Sequence, residues 1–129
     1  MVKKVHVVIN PASGQPQPIL NQINDVFYPA GIEWDVGITN KYGDAQELAR
    51  QAAMAGYDLV AGYGGDGTQH EVANGLMGTG VTMGVLPGGT GNGFCNEMGL
   101  PNKLRPALEL LATSRKVKNV DIVFFKGDY

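Results

Sequence analysis

Short apolar runs alternate along this chain with segments in which apolar residues recur at helical spacing, and this alternation constrains the fold most. A short apolar run bounded by Gly, Pro or Asn predicts a buried strand. Runs of this kind occupy residues 5–10, 32–38, 58–64, 81–87 and 119–125. Strands that alternate with helices form parallel sheets covered by helices. The sequence therefore predicts an α/β fold, a three-layer αβα Rossmann-like domain with a mainly parallel sheet.

The segments between these runs carry helical patterns and the signals that begin and end helices. Helices are predicted over residues 18–27, 68–77, 90–98 and 104–112, and a further one between Asp44 and Gly56. Asp44 is an apt N-cap with Glu47 three residues later, and Gly56 suits the C′ position just after a helix.

Length and glycine content narrow the class of protein further. The 129 residues correspond to a single domain that is large enough to bury a core. The 19 glycines are about twice the usual share, and most of them lie between Gly56 and Gly99. Glycines clustered in this way indicate functional loops on a scaffold.

Charge, cysteine content and hydropathy weigh against several kinds of partner. A formal net charge of −2 gives no electrostatic reason to expect a nucleic-acid partner. The single cysteine, Cys95, cannot form an internal disulfide, so we expect a reducing cytoplasmic location. No apolar run approaches the roughly 20 residues that span a bilayer. Contact with a membrane is therefore expected to be peripheral at most, or to occur through a substrate.

Three of the predicted strands end in small, polar loops, with the sequences NPASG, GGDGT and PGGTGN. Ligands of parallel α/β sheets bind at the carboxyl ends of the strands. In the second loop, Gly64, Gly65 and Gly67 would permit positive φ and close approach of a ligand. The start of the next helix favours an anion such as phosphate. Asp66 would repel bare phosphate, which indicates a Mg²⁺ ion or a reacting hydroxyl between the two.

Structural interpretations of the same loops compete with this one. Thr68 and Glu71 have the spacing of a capping box, which requires no ligand, and NPASG alone suits an ordinary Asn-Pro turn. The third loop favours function, because Thr90 can cap a helix while its hydroxyl contacts a phosphate or a ribose. No Walker A lysine follows a glycine loop, and no His/Cys cluster has metal-ligand spacing, so no metal site made by protein alone is predicted.

Other residues that could carry chemistry have simpler interpretations. His70 suits a partly exposed position on a helix, whereas His6 and Trp34 suit structural positions in strands. Cys95 has neither a second cysteine nor a basic neighbour, so a small buried hydrophobic residue is the simpler interpretation.

The motifs INPASG, GGDGTQHEVANG and LPGGTGNGF, with TNKYGDA between the first two, resemble the catalytic domain of the diacylglycerol kinase family. That family includes bacterial lipid kinases, sphingosine kinases and ceramide kinases, and it is distantly related to NAD kinases. The resemblance runs from about Val5 to Ile122. It implies an ATP- and Mg²⁺-dependent lipid kinase that transfers the γ-phosphoryl group to a lipid hydroxyl, with Asp66 as the catalytic residue.

The loops and the resemblance together give one set of candidate ATP-binding residues. It comprises Asn10, Pro11, Ala12, Ser13, Gly14, Thr39, Gly64, Gly65, Asp66, Gly67, Thr68, Glu71, Gly88, Gly89 and Thr90. Thr39 precedes KYGDA and resembles a further nucleotide contact, while Glu71 lies near the nucleotide loop. Asp66 resembles the aspartate that these kinases require, and it could act either through Mg²⁺ or on the acceptor hydroxyl.

Members of the family usually continue into a second, mainly β domain that carries the lipid site. We therefore expect residues 1–129 to be the N-terminal ATP-binding domain of a longer cytoplasmic lipid kinase, with the lipid acceptor bound through the C-terminal domain. Such a domain alone should bind ATP but turn over little, and its last strand could promote a homodimer. Two alternatives remain, a relative of NAD kinase and a non-catalytic nucleotide-binding regulatory module.

Overall fold

The computed structural model describes residues 2–13, 17–88, 95, 97 and 99–113. The strands in these residues are β1 (Lys4–Ile9), β2 (Glu33–Ile38), β3 (Leu59–Gly64) and β4 (Thr82–Pro87). The helices are α1 (Ile19–Phe27), α2 (Asp44–Met54), α3 (Asp66–Leu76) and α4 (Leu104–Thr113). The predicted strand at 119–125 and most of the predicted helix at 90–98 lie outside the described residues.

The four strands form one parallel sheet in the order β2-β1-β3-β4. After β2 the chain returns past β1 to form β3 on its other side, so the direction of winding reverses between β1 and β3. The carboxyl ends of these two strands are adjacent, because Ile9 pairs with Tyr63. This topological switch point is where doubly wound sheets bind ligands. The predicted parallel α/β fold is confirmed.

Helices cover both faces of the sheet and complete the three predicted layers. Successive strand residues point to opposite faces, so Val7 joins the core beneath α1 and α4, whereas Val8 joins the core beneath α2 and α3. Phe27 of α1 and Leu108 of α4 are fully buried in the first core. Val72 of α3 is fully buried in the second.

Small residues bring α2 and α3 close together on the second face. Ala45, Ala49 and Ala52 are the buried residues of α2. A β-carbon added to Gly75 of α3 would overlap the carbonyl oxygen of Gln46 and lie 3.0 Å from Cβ of Ala49. The separation of the two helices therefore depends on the missing side chain at Gly75.

The start of α2 differs from its predicted form by one residue. Gly43 is the N-cap, with a left-handed φ of +94°, and Asp44 is the first helical residue. Glycine adopts a left-handed φ at little cost, so Gly43 suits the turn that leads into the helix. At the other end, Gly56 has φ +95° immediately after the C-cap Ala55, as predicted for a C′ glycine.

The strand β2 lies at an edge of the described sheet, and its apolar side chains are covered only in part. Trp34 and Val36 are partly buried and pack against the core on the side of α1 and α4. Ile38, which follows two residues later on the same strand, is 49% exposed. It is the last residue of an edge strand, so fewer neighbours cover it than cover the middle of the strand.

A polar cluster joins β1, β2 and the segment before β3. His6 Nδ1 lies 2.5 Å from Asp35 Oδ1, and the Tyr57 hydroxyl donates a hydrogen bond to Asp35 Oδ2. Lys4 Nζ lies 4.6 Å from the centre of the Tyr57 ring. The hydrogen bond to Asp35, together with burial and the negative charge of Asp35, raises the pKa of Tyr57 to about 12. These contacts agree with the structural role predicted for His6.

Replacing Tyr57 with phenylalanine should lower the free energy of unfolding at pH 7 by about 0.5–1.5 kcal/mol, the usual contribution of one hydrogen bond. A raised pKa stabilises the fold fully below the unfolded value of 10.0, and this stabilisation is lost as pH rises through the folded value of about 12. Urea unfolding from pH 7 to pH 11 should therefore show the wild type and Tyr57→Phe converging above pH 10. Tyr28→Phe, at a residue that is 78% exposed, is the control. A constant difference across this range would contradict the assignment.

Candidate functional site

Asn10 links the loop after β1 to the start of α3. Its Oδ1 accepts a hydrogen bond from the Ala12 amide at 3.0 Å, and its Nδ2 donates to Thr68 Oγ1 at 3.2 Å. Its own backbone N–H donates to the Tyr63 carbonyl at 3.0 Å. A single side chain therefore fixes the relative position of two of the three predicted loops, on either side of the switch point.

The loop after β3 leads directly into α3, two residues earlier than the sequence pattern predicted. Gly65 is an extended N-cap, and Asp66 is the first residue of the helix. Thr68, expected at the helix start, is instead its third residue and is buried. Asp66 is exposed and lies at the positive end of the helix dipole, where a carboxylate is favoured.

The glycines of this loop are needed for space and not for the positive φ that was predicted. Gly64, Gly65 and Gly67 are not among the glycines with positive φ. A β-carbon on Gly64 would lie 2.5 Å from Thr68 Oγ1, so glycine lets Thr68 pack against the strand. A β-carbon on Gly65 or Gly67 would meet no atom within 4 Å. These two residues border open space that a ligand can enter.

Glu71 does not form the predicted capping box with Thr68. Its Oε1 accepts hydrogen bonds from the backbone N–H groups of Gly43 at 3.1 Å and Ala45 at 3.2 Å. These amides belong to the start of α2, which packs beside α3. Because Thr68 lies inside α3, it cannot serve as the N-cap of that helix. Glu71 thus holds the start of the neighbouring helix.

The loop between β2 and α2, residues 39–43, is held by a second carboxylate. Asp44 Oδ2 accepts from the amides of Asn40 at 2.7 Å and Lys41 at 3.0 Å. These hydrogen bonds lower the pKa of Asp44 below its usual value of 3.8. Thr39 is buried, and its amide donates to the carbonyl of Ile9 at 2.9 Å. The first residue of this loop therefore extends the pairing of β2 with β1.

Gln69 is a buried polar residue that the sequence reasoning missed. Its side chain is only 2% exposed, and its Nε2 donates to the carbonyls of Gly62 at 3.0 Å and Leu86 at 3.2 Å, with Gly64 at 3.4 Å. The amide therefore joins β3 to β4 directly beneath the glycine loops. Its position in the sequence indicates this burial, because Gln69 precedes Val72 and Ala73 by three and four residues and so lies on the inward face of α3.

The third loop begins in contact with the second. The amide of Gly88 donates to the Gly64 carbonyl at 3.2 Å. A β-carbon on Gly88 would lie 2.8 Å from the Gly64 nitrogen, so a larger residue would push the two loops apart. The rest of this loop, including the candidates Gly89 and Thr90, lies outside the described residues, as does Gly14 of the first loop.

Cys95 is buried, as predicted for a small hydrophobic residue. Burial, and then the negative charge of Asp66, raise the pKa of the Cys95 thiol above its usual value of 9.0. Both effects favour the protonated thiol, so they oppose a role as a nucleophile at neutral pH.

An open cleft of about 490 Å³ lies at the carboxyl ends of β1, β2 and β3. Its lining consists of Asn10, Pro11, Ala12, Thr39, Asn40, Lys41, Tyr42, Ala45, Gly67, Thr68 and Glu71. Seven of the predicted site residues are therefore brought together in one cleft. Ser13, Gly64, Gly65, Asp66 and Gly88 lie outside this lining, although Asp66 directly precedes Gly67.

The described part of the chain has neither a metal-binding cluster nor a membrane-spanning helix. No group of three or more His, Cys, Asp or Glu side chains there is arranged to hold a metal ion by itself. No described helix is long and apolar enough to cross a bilayer.

The fold places an open cleft at the topological switch point of a parallel α/β domain. The sequence model of the diacylglycerol kinase catalytic domain matches residues 4–125, and the chain belongs to this family.

Individual relatives agree with this assignment. A diacylglycerol kinase of Bacillus subtilis (strain 168) is 38% identical over 106 residues, covering 79% of this chain and 35% of its own length. Sphingosine kinase B of Dictyostelium discoideum is 30% identical over 130 residues, covering 94% of this chain and 17% of its own length. A crystal structure of a diacylglycerol kinase from Bacillus anthracis str. Sterne superposes with a TM-score of 0.76 at 31% identity, over 86% of this chain and 42% of that one. The chain thus spans less than half the length of these relatives.

Proposed function

We propose that this chain is the ATP-binding domain of a lipid kinase, which transfers the γ-phosphoryl group of ATP to a lipid hydroxyl. The observation that carries the proposal is the hydrogen bond between Asn10 and Thr68, which joins two strand-end loops at the edge of a ligand-sized cleft. Relatives named as diacylglycerol and sphingosine kinases support lipids as acceptors. The nucleotide is proposed to be ATP, the usual phosphoryl donor of such kinases.

The first turn of α3 provides what a phosphate group needs. Backbone N–H groups at a helix N-terminus have no partner within the helix and favour an anion. Open space beside Gly65 and Gly67 lets phosphate oxygens approach these amides without meeting a side chain. The hydroxyl of Thr68 accepts from Asn10 Nδ2, which leaves its own proton available for a phosphate oxygen.

The chemistry of the site also fits Mg²⁺, which is held in kinases by one or two carboxylates together with phosphate oxygens and water. Asp66 supplies one exposed carboxylate next to the phosphate position. When bound, Mg²⁺ would neutralise the negative charge of the phosphates and of the transferred group. We assign the catalytic role to Asp66, which would orient the metal-bound phosphates or accept a hydrogen bond from the acceptor hydroxyl.

The lipid acceptor is proposed to bind through a further domain of the same protein. Support comes from the length of the relatives, since the matched region is only 35% of the Bacillus subtilis enzyme. A chain limited to these 129 residues should therefore bind ATP but transfer phosphoryl groups to lipid slowly. The cytoplasm, where ATP is abundant, is the proposed location.

An acceptor screen on the longer protein tests this function. The protein is incubated with γ-labelled ATP and Mg²⁺ and, in separate reactions, with diacylglycerol micelles, sphingosine micelles or NAD. Label is expected in at least one lipid and not in NAD. Label in NAD alone would favour the alternative of an NAD kinase relative. No transfer to any acceptor, with ATP still bound, would favour a regulatory module.

A further inference from the structure

Tyr42 combines high exposure with a position in the cleft. It is 92% exposed, the highest value among the exposed large hydrophobic side chains of the described residues, and yet it contributes to the lining. Tyr28 and Met54 are each 78% exposed but do not line the cleft. Single exposed hydrophobic residues are common and need no explanation. An exposed aromatic residue at the rim of a ligand-sized cleft does need an explanation.

The backbone that carries Tyr42 is fixed although its ring is not packed. Asp44 and Glu71 together accept hydrogen bonds from four backbone N–H groups of residues 40–45, at 2.7 to 3.2 Å. Two of these groups precede Tyr42 in sequence and two follow it. The loop backbone is therefore ordered beside the cleft, and only the side chain of Tyr42 has to lose freedom when a ligand binds.

The sheet order gives the cleft two chemically different ends. The loops after β2 and β3 lie on opposite sides of β1. Thr68 and the N-terminal end of α3 are on the β3 side, which suits phosphate. Tyr42 is on the β2 side together with Asn40 and Lys41, whose ammonium group lies 3.4 Å from Asp44 Oδ1, and Pro11 and Ala45 add apolar side chains to the lining. A nucleoside triphosphate has the same polarity, with phosphates at one end and a flat, weakly polar base at the other.

We propose that Tyr42 is the base-binding residue of this site, its ring packing against the face of the nucleotide base. This inference rests on the proposed function and extends it, because it assigns the direction in which the nucleotide lies, with the phosphates over β3 and the base over β2. Stacking acts on the π-face that every base has. The Tyr42 ring accordingly contributes affinity for a nucleotide and none for a polyphosphate without a base.

A comparison of two ligands on matched variants tests this assignment. ATP and inorganic tripolyphosphate, each with Mg²⁺, are titrated calorimetrically into the wild type, Tyr42→Ala, Tyr42→Phe and the control Tyr28→Ala. Loss of stacking should weaken ATP binding by Tyr42→Ala roughly 5- to 100-fold. Tyr42→Phe and Tyr28→Ala should bind ATP like the wild type. Tripolyphosphate should bind all four proteins equally.

The possible failures are distinguishable from one another. If Tyr42→Ala binds ATP as tightly as the wild type, or loses ATP and tripolyphosphate to the same degree, Tyr42 does not bind the base and the proposed function stands. If the wild type binds neither ligand, the proposed function fails, and the role of Tyr42 fails with it. A second readout is the upfield NMR shift of the adenine protons on binding, which should be present in Tyr42→Phe and absent in Tyr42→Ala.

Discussion

Under the proposed function, replacing Asp66 with asparagine is expected to reduce phosphoryl transfer to a lipid acceptor at least about 100-fold, the usual cost of removing one group that stabilises transition-state charge. Asparagine keeps the shape of aspartate but loses its negative charge and so binds Mg²⁺ poorly. Asp66 is exposed at the start of α3, so the fold should be little affected. The measurement is kcat with a lipid acceptor, alongside the Tm of each protein.

Asp25→Asn is the matched control for this variant. Asp25 is an exposed aspartate on α1, with a weak contact to Arg105 at 3.8 Å. The Asp25→Asn substitution should leave kcat unchanged. An Asp66→Asn enzyme that retained kcat within a few-fold of the wild type would remove the catalytic role from Asp66 and would favour the interpretation of a non-catalytic nucleotide-binding module.

Replacing Gly75 with alanine is expected to lower the free energy of unfolding by about 1–3 kcal/mol, the usual cost of overpacking a tight core. Alanine is the better helix former by about 1 kcal/mol, so the steric term must exceed this gain. The steric cost should exceed the gain in helix propensity, because the new methyl group would overlap the backbone carbonyl of Gln46, which cannot rotate away as a side chain can. Urea unfolding of both proteins measures the difference.

Gly67→Ala provides a matched comparison on the same helix. Its new methyl group would meet no atom within 4 Å, so the free energy of unfolding should stay the same or rise by up to about 1 kcal/mol. Equal stability of Gly75→Ala and the wild type would show that α2 and α3 can separate at no cost. A destabilised Gly75→Ala should also bind nucleotide more weakly. Glu71 of α3 accepts hydrogen bonds from the start of α2, and a shift between the two helices would disturb these bonds at the cleft.

The strands were predictable because each is a short apolar run, and β3 is buried along its whole length. The order of the strands across the sheet was not predictable, because it depends on which strands pair and not on the local sequence pattern. The adjacency of the loops after β1 and β3 follows from that order. The sequence could therefore suggest a shared site at the strand ends, whereas the contact between Asn10 and Thr68 required the structure.

The start of α3 shows where local pattern misleads. A threonine followed three residues later by glutamate is the pattern of a capping box, and it predicted a helix starting at Thr68. In the structure Gly65 is the cap, and Glu71 holds the amides of Gly43 and Ala45 instead. Packing of α3 beside α2 offered Glu71 partners that are 26 and 28 residues away in sequence, and no local rule could have found them.

Gln69 illustrates the opposite case, in which the sequence does indicate a buried polar residue. Glutamine on the inward stripe of a helix must find hydrogen-bond partners when it is buried. Its position three residues before Val72 placed it on that stripe. The carbonyls that it meets, in β3 and β4, could not be named from the sequence because they depend on how the helix lies on the sheet.

Calorimetric titration of ATP with Mg²⁺ into the wild-type chain and Asn10→Ala tests most directly whether this cleft is a nucleotide site. The wild type should bind one ATP. Asn10→Ala loses the bonds to Ala12 and Thr68 and should bind roughly tenfold or more weakly, since about 1.4 kcal/mol corresponds to tenfold. Asn21→Ala, at an exposed residue of α1, should bind like the wild type. No binding of ATP by the folded wild type, or equal binding by Asn10→Ala, would contradict a nucleotide site in this cleft.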